Sequence, residues 1–323
     1  MERAARRGVR ELGRDAPLPL ARVAARDPGR GRAQASRGPR ADRGRGRAGS
    51  SAARNELPGA RHPLRAGARV TKSAIVLHQF PFSHYNEKVR WALDWKGIAH
   101  ERVDYLPGPH APQMQRLSGQ MQVPVLQIGD RTIAGSAAII DALEQLQPDP
   151  SLYPADPARR ERALALQRHF DDEVGPRVRC ALFSVLIREP AYLCRIFAGR
   201  RSAPVRAGYR ALFPVTKQVV GRSMKLFDAR AVDDAFAGTR AALDLVAREV
   251  GPSGQLAGDS FSVADLTAAA NLALLVRPDH PDMARPEPVP DSVREFMAAF
   301  ASHPALGWTL EQYRRHRPDR RAL

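Results

Sequence analysis

The clearest pattern of hydrophobic and polar positions lies in residues 75–97. Residues 75–77 form a short apolar run that is typical of a buried strand. Apolar residues then recur at helical spacing from Val89 onward, and Gly97 is suited to ending that helix. The pattern therefore predicts a strand, a turn and a helix in succession.

Alternating and apolar segments continue through residue 146. Residues 100–105 alternate and predict a second strand, and a tight turn at Gly129 and Asp130 joins two more strands. After the first helix we expect a strand at 100–105, a helix at about 112–117, strands at 123–128 and 131–134, and a helix at 137–146. This order predicts a small α/β domain spanning residues 73–147.

A proline-rich linker at residues 147–154 is followed by segments that are helical by pattern. The predicted helical segments are 157 to about 188, 192 to about 220, 228–250, 262–276, 292–301 and 307–315. Pro204 and Pro214 are expected to break the second of these segments. The pattern predicts an all-helical domain spanning residues 156–318.

Charge separates the first 72 residues, here called the tail, from the rest of the 323-residue chain. The net charge is +17, and the tail carries 19 basic and 6 acidic residues. The tail also lacks Phe, Trp, Tyr, Ile and Cys. Because it cannot bury enough apolar surface to offset its chain entropy, we expect it to be disordered.

Three interpretations of the tail remain open. Its arginines could bind nucleic acid or an acidic surface. The tail could instead direct the protein to an organelle, although its acidic residues argue against this. It could also be non-functional sequence before a misplaced start, with the native chain beginning near Val70. Since the remaining residues carry a net charge of only +4, we expect no nucleic-acid partner.

The cysteines and the apolar runs exclude several classes of protein. Cys180 and Cys194 are the only cysteines, and their spacing indicates neither a zinc site nor a disulfide framework. Charged residues and a proline interrupt the most apolar stretch, residues 180–197. We therefore expect a soluble, cytoplasmic protein without a membrane partner.

Ser83 is the main candidate for chemistry. It lies between the first predicted strand and helix, where unpaired backbone N–H groups and the helix dipole favour anions, thiolates included. Its hydroxyl could donate a hydrogen bond to a bound thiolate, or it could cap the helix. The two roles are compatible.

Pro124 lies inside an apolar, strand-like run. Because proline lacks an N–H group, it could mark an edge strand or a bulge. Alternatively, a cis-proline turn just before a strand would leave the backbone N–H and C=O groups of Val123 free for a ligand.

Four motifs extend these observations across the chain. They are Ser83 with Lys88-Val89-Arg90, then Gln122-Val123-Pro124-Val125-Leu126, then Ser136-Ala137-Ala138-Ile139, and finally the segment from Leu256 to Leu266. With these motifs, residues 73–323 resemble the two-domain proteins of the glutathione S-transferase superfamily. The resemblance implies a thioredoxin-like α/β domain before the helical domain, glutathione as co-substrate, a small electrophile as second substrate, and a homodimer.

The resemblance also implies roles for individual residues. Ser83 would contact the glutathione sulfur as a hydrogen-bond donor, because a serine hydroxyl is too weak an acid to serve as a base. Ser136 would bind the γ-glutamyl carboxylate at a helix start. Val123 and Pro124 would hold the tripeptide's backbone, and Gln122 is a weaker candidate for the same backbone.

Two positions depart from common members of the superfamily. Gly135 stands where relatives usually carry Glu, Asp or Gln to contact the γ-glutamyl amine, a contact whose loss costs on the order of 1–3 kcal/mol if nothing replaces it. Asn86 stands where redox-active relatives have a second cysteine, which excludes dithiol chemistry.

Other polar residues have structural interpretations beside functional ones. Tyr85 is an alternative sulfur contact, and His84 could line the site entrance, although we expect it at the surface. Residues 171–173 could face a dimer cleft, but a solvated acidic face is the simpler expectation. Ser262 and Asp265 are predicted to form a capping box that starts a buried helix.

The leading hypothesis is a glutathione transferase that activates the glutathione thiol for attack on a small electrophile. The rival hypothesis is a non-catalytic binding or interaction module that keeps the fold and has lost glutathione. Gly135 is the feature that favours the rival.

Overall fold

The structure, a computed structural model, describes residues 75–319. The tail lies outside the described residues. Within them, four strands and three helices are followed by helices alone, which confirms the predicted fold class. The predicted domain limits of 73–147 and 156–318 remain predictions.

The α/β part of the chain follows the predicted order of elements. Its strands are β1 (Ile75–Gln79), β2 (Glu101–Asp104), β3 (Val125–Ile128) and β4 (Arg131–Ala134). Its helices are α1 (His84–Trp95), α2 (Ala111–Ser118) and α3 (Ser136–Leu146). The strands form one sheet in the order β2-β1-β3-β4.

The strand directions bring three chain segments to one edge of the sheet. Strand β1 runs parallel to β2 and antiparallel to β3, with His78 opposite Val125. Strand β3 runs antiparallel to β4, with Val125 opposite Ala134. The end of β1, the start of β3 and the end of β4 therefore lie side by side.

The helical part extends from residue 157 to residue 316. It consists of α4 (Pro157–His169), α5 (Gly175–Leu186), α6 (Pro190–Ala198), α7 (Ala203–Ser223), α8 (Ala229–Glu249), α9 (Val263–Leu272), α10 (Asp291–Ala298) and α11 (Pro304–His316). A π-helical turn at Phe170–Val174 joins α4 to α5. None of the described helices is both long and apolar enough to cross a membrane.

The two prolines expected to break the second helical segment behave differently. Pro204 lies in the first turn of α7, where the missing N–H group has no intrahelical partner to lose. Pro214 lies inside α7, so the prediction of a break there is wrong. Its side chain is on the exposed face, where water can satisfy the carbonyl that it leaves unpaired.

The start of α9 confirms the predicted capping box. The buried carboxylate of Asp265 accepts hydrogen bonds from the N–H of Ser262 at 2.9 Å, its hydroxyl at 2.8 Å and the N–H of Leu256 at 2.7 Å. Burial raises the pKa of Asp265 to about 6, although these hydrogen bonds oppose the shift. The carboxylate thus ties the preceding loop to the first turn of a buried helix.

Helix α1 connects the sheet to the helical part. Trp91 is fully buried, and its indole N–H donates to the carbonyl of His316 at 2.7 Å. The same ring stacks on Phe261, with 5.6 Å between ring centroids. These contacts fix α1, and with it the loop that precedes it, against the helical part.

Candidate functional site

Ser83 is the residue that immediately precedes α1. Its backbone is extended, with φ −157° and ψ 128°, and its carbonyl accepts the N–H of Glu87 at 2.8 Å. Its half-buried side chain makes no capping bond to any described residue. The hydroxyl is therefore available to a bound group, beside the unpaired N–H groups of the first helical turn.

The remaining predicted site residues lie along the same sheet edge. The peptide bond between Val123 and Pro124 is cis and directly precedes β3. The Pro124 carbonyl accepts the N–H of Gly135 at 3.1 Å, and Ser136 is the first residue of α3. The fold thus brings Ser83 and these residues together from three separate segments of the sequence.

Their accessibility differs. Among residues 75–319, the backbone groups of Val123 have no hydrogen-bond partner, and this residue is half-buried. The side chain of Gln122 is exposed, whereas Ser136 is only 8% exposed. A ligand lying along this edge would meet free backbone groups at Val123 and a recessed hydroxyl at Ser136.

Gly135 has a conformational reason to be glycine. Its φ is +93°, in the left-handed region that side chains disfavour. A Cβ atom built there would meet no other heavy atom within 4 Å, so space does not exclude a larger residue. Backbone conformation therefore opposes a larger residue here, and the volume beside Gly135 is open.

His84 is buried, so its expected surface placement is wrong. It is 2% exposed and packs on the Tyr85 ring, with 4.0 Å between centroids. Burial, together with the charges of Arg179 and Lys88, holds the pKa of His84 well below its usual value. The imidazole is accordingly neutral and is buried at the first turn of α1.

Tyr85 has a structural partner. Its hydroxyl donates to the carbonyl of Asp171 at 2.6 Å, and burial raises its pKa to about 12. The proton is therefore held in a contact between α1 and the helical part. This contact disfavours the alternative in which Tyr85 serves the sulfur.

The three acidic residues at positions 171–173 lie in different environments. Asp172 and Glu173 are exposed, as expected for a solvated face. Asp171 instead forms an ion pair with the fully buried Lys88, at 2.6 Å, so the prediction is wrong for this residue. The sequence did not indicate the role of Lys88, because its partner lies 83 positions away.

A cavity of about 720 Å³ opens beside Phe82 and was not indicated by the sequence. The end of β2, the connection from α6 to α7 and residues 282–286 complete its wall. Most of its charged lining residues are arginines, whereas Ser83, Val123 and Ser136 do not line it. The cavity therefore begins at the ends of β1 and β2, next to the predicted site residues but without including them.

Comparison with known proteins identifies the class. Residues 77–151 match the family described as glutathione S-transferase, N-terminal domain. A glutathione S-transferase from Pseudomonas putida is 34% identical over 97 residues, which are 30% of this chain and 44% of that protein. Rat (Rattus norvegicus) maleylacetoacetate isomerase is 37% identical over 109 residues, covering 32% of this chain and 49% of that protein. The chain thus spans about half the length of these relatives.

Structural similarity extends further along the chain. The crystal structure of a possible glutathione S-transferase from Rhodopseudomonas palustris aligns with this chain at a TM-score of 0.52 and 18% sequence identity. The alignment covers 76% of this chain and 95% of that protein. At this identity the match concerns the fold alone. Together, these findings confirm the predicted resemblance to glutathione S-transferases: residues 77–151 match the N-terminal domain of that family, and the described chain shares the fold of a possible member.

Proposed function

We propose that the protein is a glutathione transferase in which Ser83 stabilises the glutathione thiolate for attack on a small electrophile. The observation that carries the proposal is the uncommitted Ser83 hydroxyl at the start of α1. It shares a sheet edge with the free backbone groups of Val123 and with Ser136. The relatives named glutathione S-transferase support the same activity.

The residues at this edge match the chemistry of the tripeptide. The N–H and C=O groups of Val123 can pair with its backbone, and the exposed amide of Gln122 lies next to them. The hydroxyl and N–H of Ser136, at the start of α3, suit the γ-glutamyl carboxylate. Glutathione binding by these groups would direct its thiol toward Ser83.

Ser83 acts as a hydrogen-bond donor in this proposal. The thiol proton is released to solvent, and the hydroxyl donates to the resulting sulfur anion. The first turn of α1 adds positive partial charge at the same point. Both interactions lower the pKa of the bound thiol and so raise the fraction present as thiolate. The thiolate forms the carbon–sulfur bond as the electrophile either releases its leaving group as an anion or, in an addition, takes a proton from solvent. The proposal includes a homodimer and a cytoplasmic location.

Replacing Ser83 with alanine tests this mechanism. Since removal of one donor to a developing anion typically costs about 100-fold in rate, Ser83→Ala should lower conjugation activity by that order. The pKa of bound glutathione, followed through the ultraviolet absorbance of the thiolate, should rise. Ser202→Ala is a matched control, because Ser202 also precedes a helix without a side-chain capping bond to described residues. Equal rates and an equal thiol pKa would remove Ser83 from the mechanism.

Gly135 supports a second candidate, a binding module that has lost glutathione. Glycine has no side chain to accept the γ-glutamyl amine, and the positive φ at this position disfavours any residue that would have one. Calorimetry distinguishes the two candidates. We expect glutathione to release measurable heat and raise the melting temperature, whereas neither effect at millimolar ligand would favour the module.

A further inference from the structure

The arginine-lined cavity beside Phe82 contains two kinds of arginine. Arg90 and Arg102 are paired with Asp282, at 3.5 Å and 2.7 Å. The others have no carboxylate within 4.0 Å among residues 75–319; they are Arg195, Arg200, Arg201, Arg206 and Arg285. The cavity therefore has an excess of positive charge that the described protein does not neutralise.

These unpaired arginines donate mainly to backbone carbonyls; the one side-chain acceptor within residues 75–319 is the sulfur of Met297, 3.3 Å from Nη1 of Arg285. Arg195 donates to Pro288 at 3.0 Å, and Arg206 donates to Arg201 at 2.6 Å. Arg201 donates to the carbonyl of Asp104. Each of these bonds orients a guanidinium group without cancelling its charge, and a guanidinium has donors left over for a carboxylate or phosphate.

Arg285 is the most informative member of this group. It is 7% exposed, and one terminal nitrogen donates to the carbonyls of Leu274 and Val276 at 2.9 and 3.0 Å. Its Nε has no partner in the described part of the chain. Burial lowers the pKa of Arg285 to about 10. A buried guanidinium without a carboxylate is costly, and an anion beside it would offset that cost.

The cavity also has an apolar wall. Phe82 lies 5.4 Å from the guanidinium carbon of Arg285, measured to the ring centroid, and Pro81, Ile196 and Phe197 complete this wall. A volume of about 720 Å³ is in the range that holds a small organic molecule. A simple inorganic ion would leave most of this space and all of the apolar wall unused.

We propose that this cavity binds a small organic dianion, with an apolar body against Phe82 and two negative charges among the unpaired arginines. The anionic groups can be carboxylates or phosphates, since the guanidinium fork matches both. Its lining excludes Ser83, Val123 and Ser136, so the inference goes beyond the proposed function and does not depend on glutathione.

Calorimetry of the full chain at fixed ionic strength, without glutathione, tests the proposal. The probes are benzene-1,4-dicarboxylate, phenyl phosphate, the neutral dimethyl ester of the first, and inorganic sulfate. Saturable binding of either organic dianion, at least 10-fold tighter than the ester and sulfate, is expected. The ratio of the dissociation constants of the two organic dianions shows whether the cavity prefers carboxylate or phosphate. Equal affinity for sulfate, or no binding of either dianion, would overturn the proposal.

Paired substitutions assign the binding to this cavity. Arg195→Gln combined with Arg206→Gln removes two exposed lining charges and should weaken the dianion at least 10-fold. Arg210→Gln combined with Arg222→Gln removes two exposed charges of α7 outside the lining and should change the affinity less than about twofold. Equal losses in the two double variants would refute the assignment. Glutathione is absent from these titrations, which separates this test from that of the transferase.

Discussion

Asp282 pairs with the buried Arg317 and also lines the cavity, and the arginines of these two regions differ in how their charge is matched. On one side, Arg317 is fully buried and contacts Glu87 at 2.8 Å, Asp94 at 2.8 Å and Asp282 at 2.7 Å. On the other side, the unpaired arginines of the cavity contact backbone carbonyls. The same side chain thus serves in a neutralised network and in an open, positively charged cavity.

The difference distinguishes a structural role from a binding role. Every carboxylate around Arg317 is held by an opposite charge, and the ion pairs join α1 to the end of the described chain. Such a network leaves no guanidinium to recruit a ligand, but it makes each partner necessary to the others. In the cavity, by contrast, each unpaired arginine can be replaced by a neutral residue without leaving a buried carboxylate unpaired.

The largest expected effect follows from removing Arg317. Arg317→Ala would leave the fully buried Glu87 and Asp94 short of a positive partner, so the free energy of unfolding should fall by about 3–5 kcal/mol. Urea unfolding measures this loss. Arg206→Gln, from the cavity, is the comparison and should leave stability close to that of the unsubstituted protein. Comparable losses of unfolding free energy in the two variants would show that Arg317 is no more important to stability than an arginine of the cavity.

Asp282 pairs with Arg317 and also lines the cavity. Its replacement should lower the stability of the protein and raise the affinity of the cavity for an anion. Burial would raise the pKa of Asp282, but the charges of Arg90, Arg317 and Arg102 outweigh it and lower the pKa to about 2. Asp282→Asn should therefore reduce stability at neutral pH by about 2 kcal/mol. It should also tighten the binding of an organic dianion, because the cavity loses a negative charge and Arg90 and Arg102 each lose one of their two carboxylate partners.

The pH dependence of stability in Asp282→Asn checks the sign of the contribution that Asp282 makes to folding. A carboxyl group whose pKa is lowered by folding stabilises the protein above its unfolded pKa, near 4, and loses this contribution as the pH falls toward 2. The stability difference between the unsubstituted protein and Asp282→Asn should be full at pH 6 and shrink steadily from about pH 5 to pH 2. A difference independent of pH would show that Asp282 acts through packing.

The comparison also shows where sequence reasoning succeeds. Ser262 and Asp265 form their box within one helical turn, so spacing alone predicts it. The strand, loop and helix around Ser83 are local as well, and both their order and their limits agree within a few residues. Pro214 is an exception, because tolerance of a proline in a helix depends on which face of the helix water reaches.

Contacts between distant residues were not predictable in the same way. Glu87 and Arg317 are 230 positions apart, and Lys88 and Asp171 are 83 apart. Nothing in their spacing indicates a pair, since such contacts exist only after α1 packs against the helical part. The burial of His84 has the same origin.

Periodicity and local motifs are enough to predict the order of the elements, the helix starts and the residues that carry a resemblance to glutathione S-transferases. Tertiary structure decided which charges are neutralised. An arginine in the sequence is the same residue whether it faces a buried carboxylate or a cavity. Only the packing of α1, β2 and α6 against residues 282–317 assigns Arg317 to the first role and Arg285 to the second.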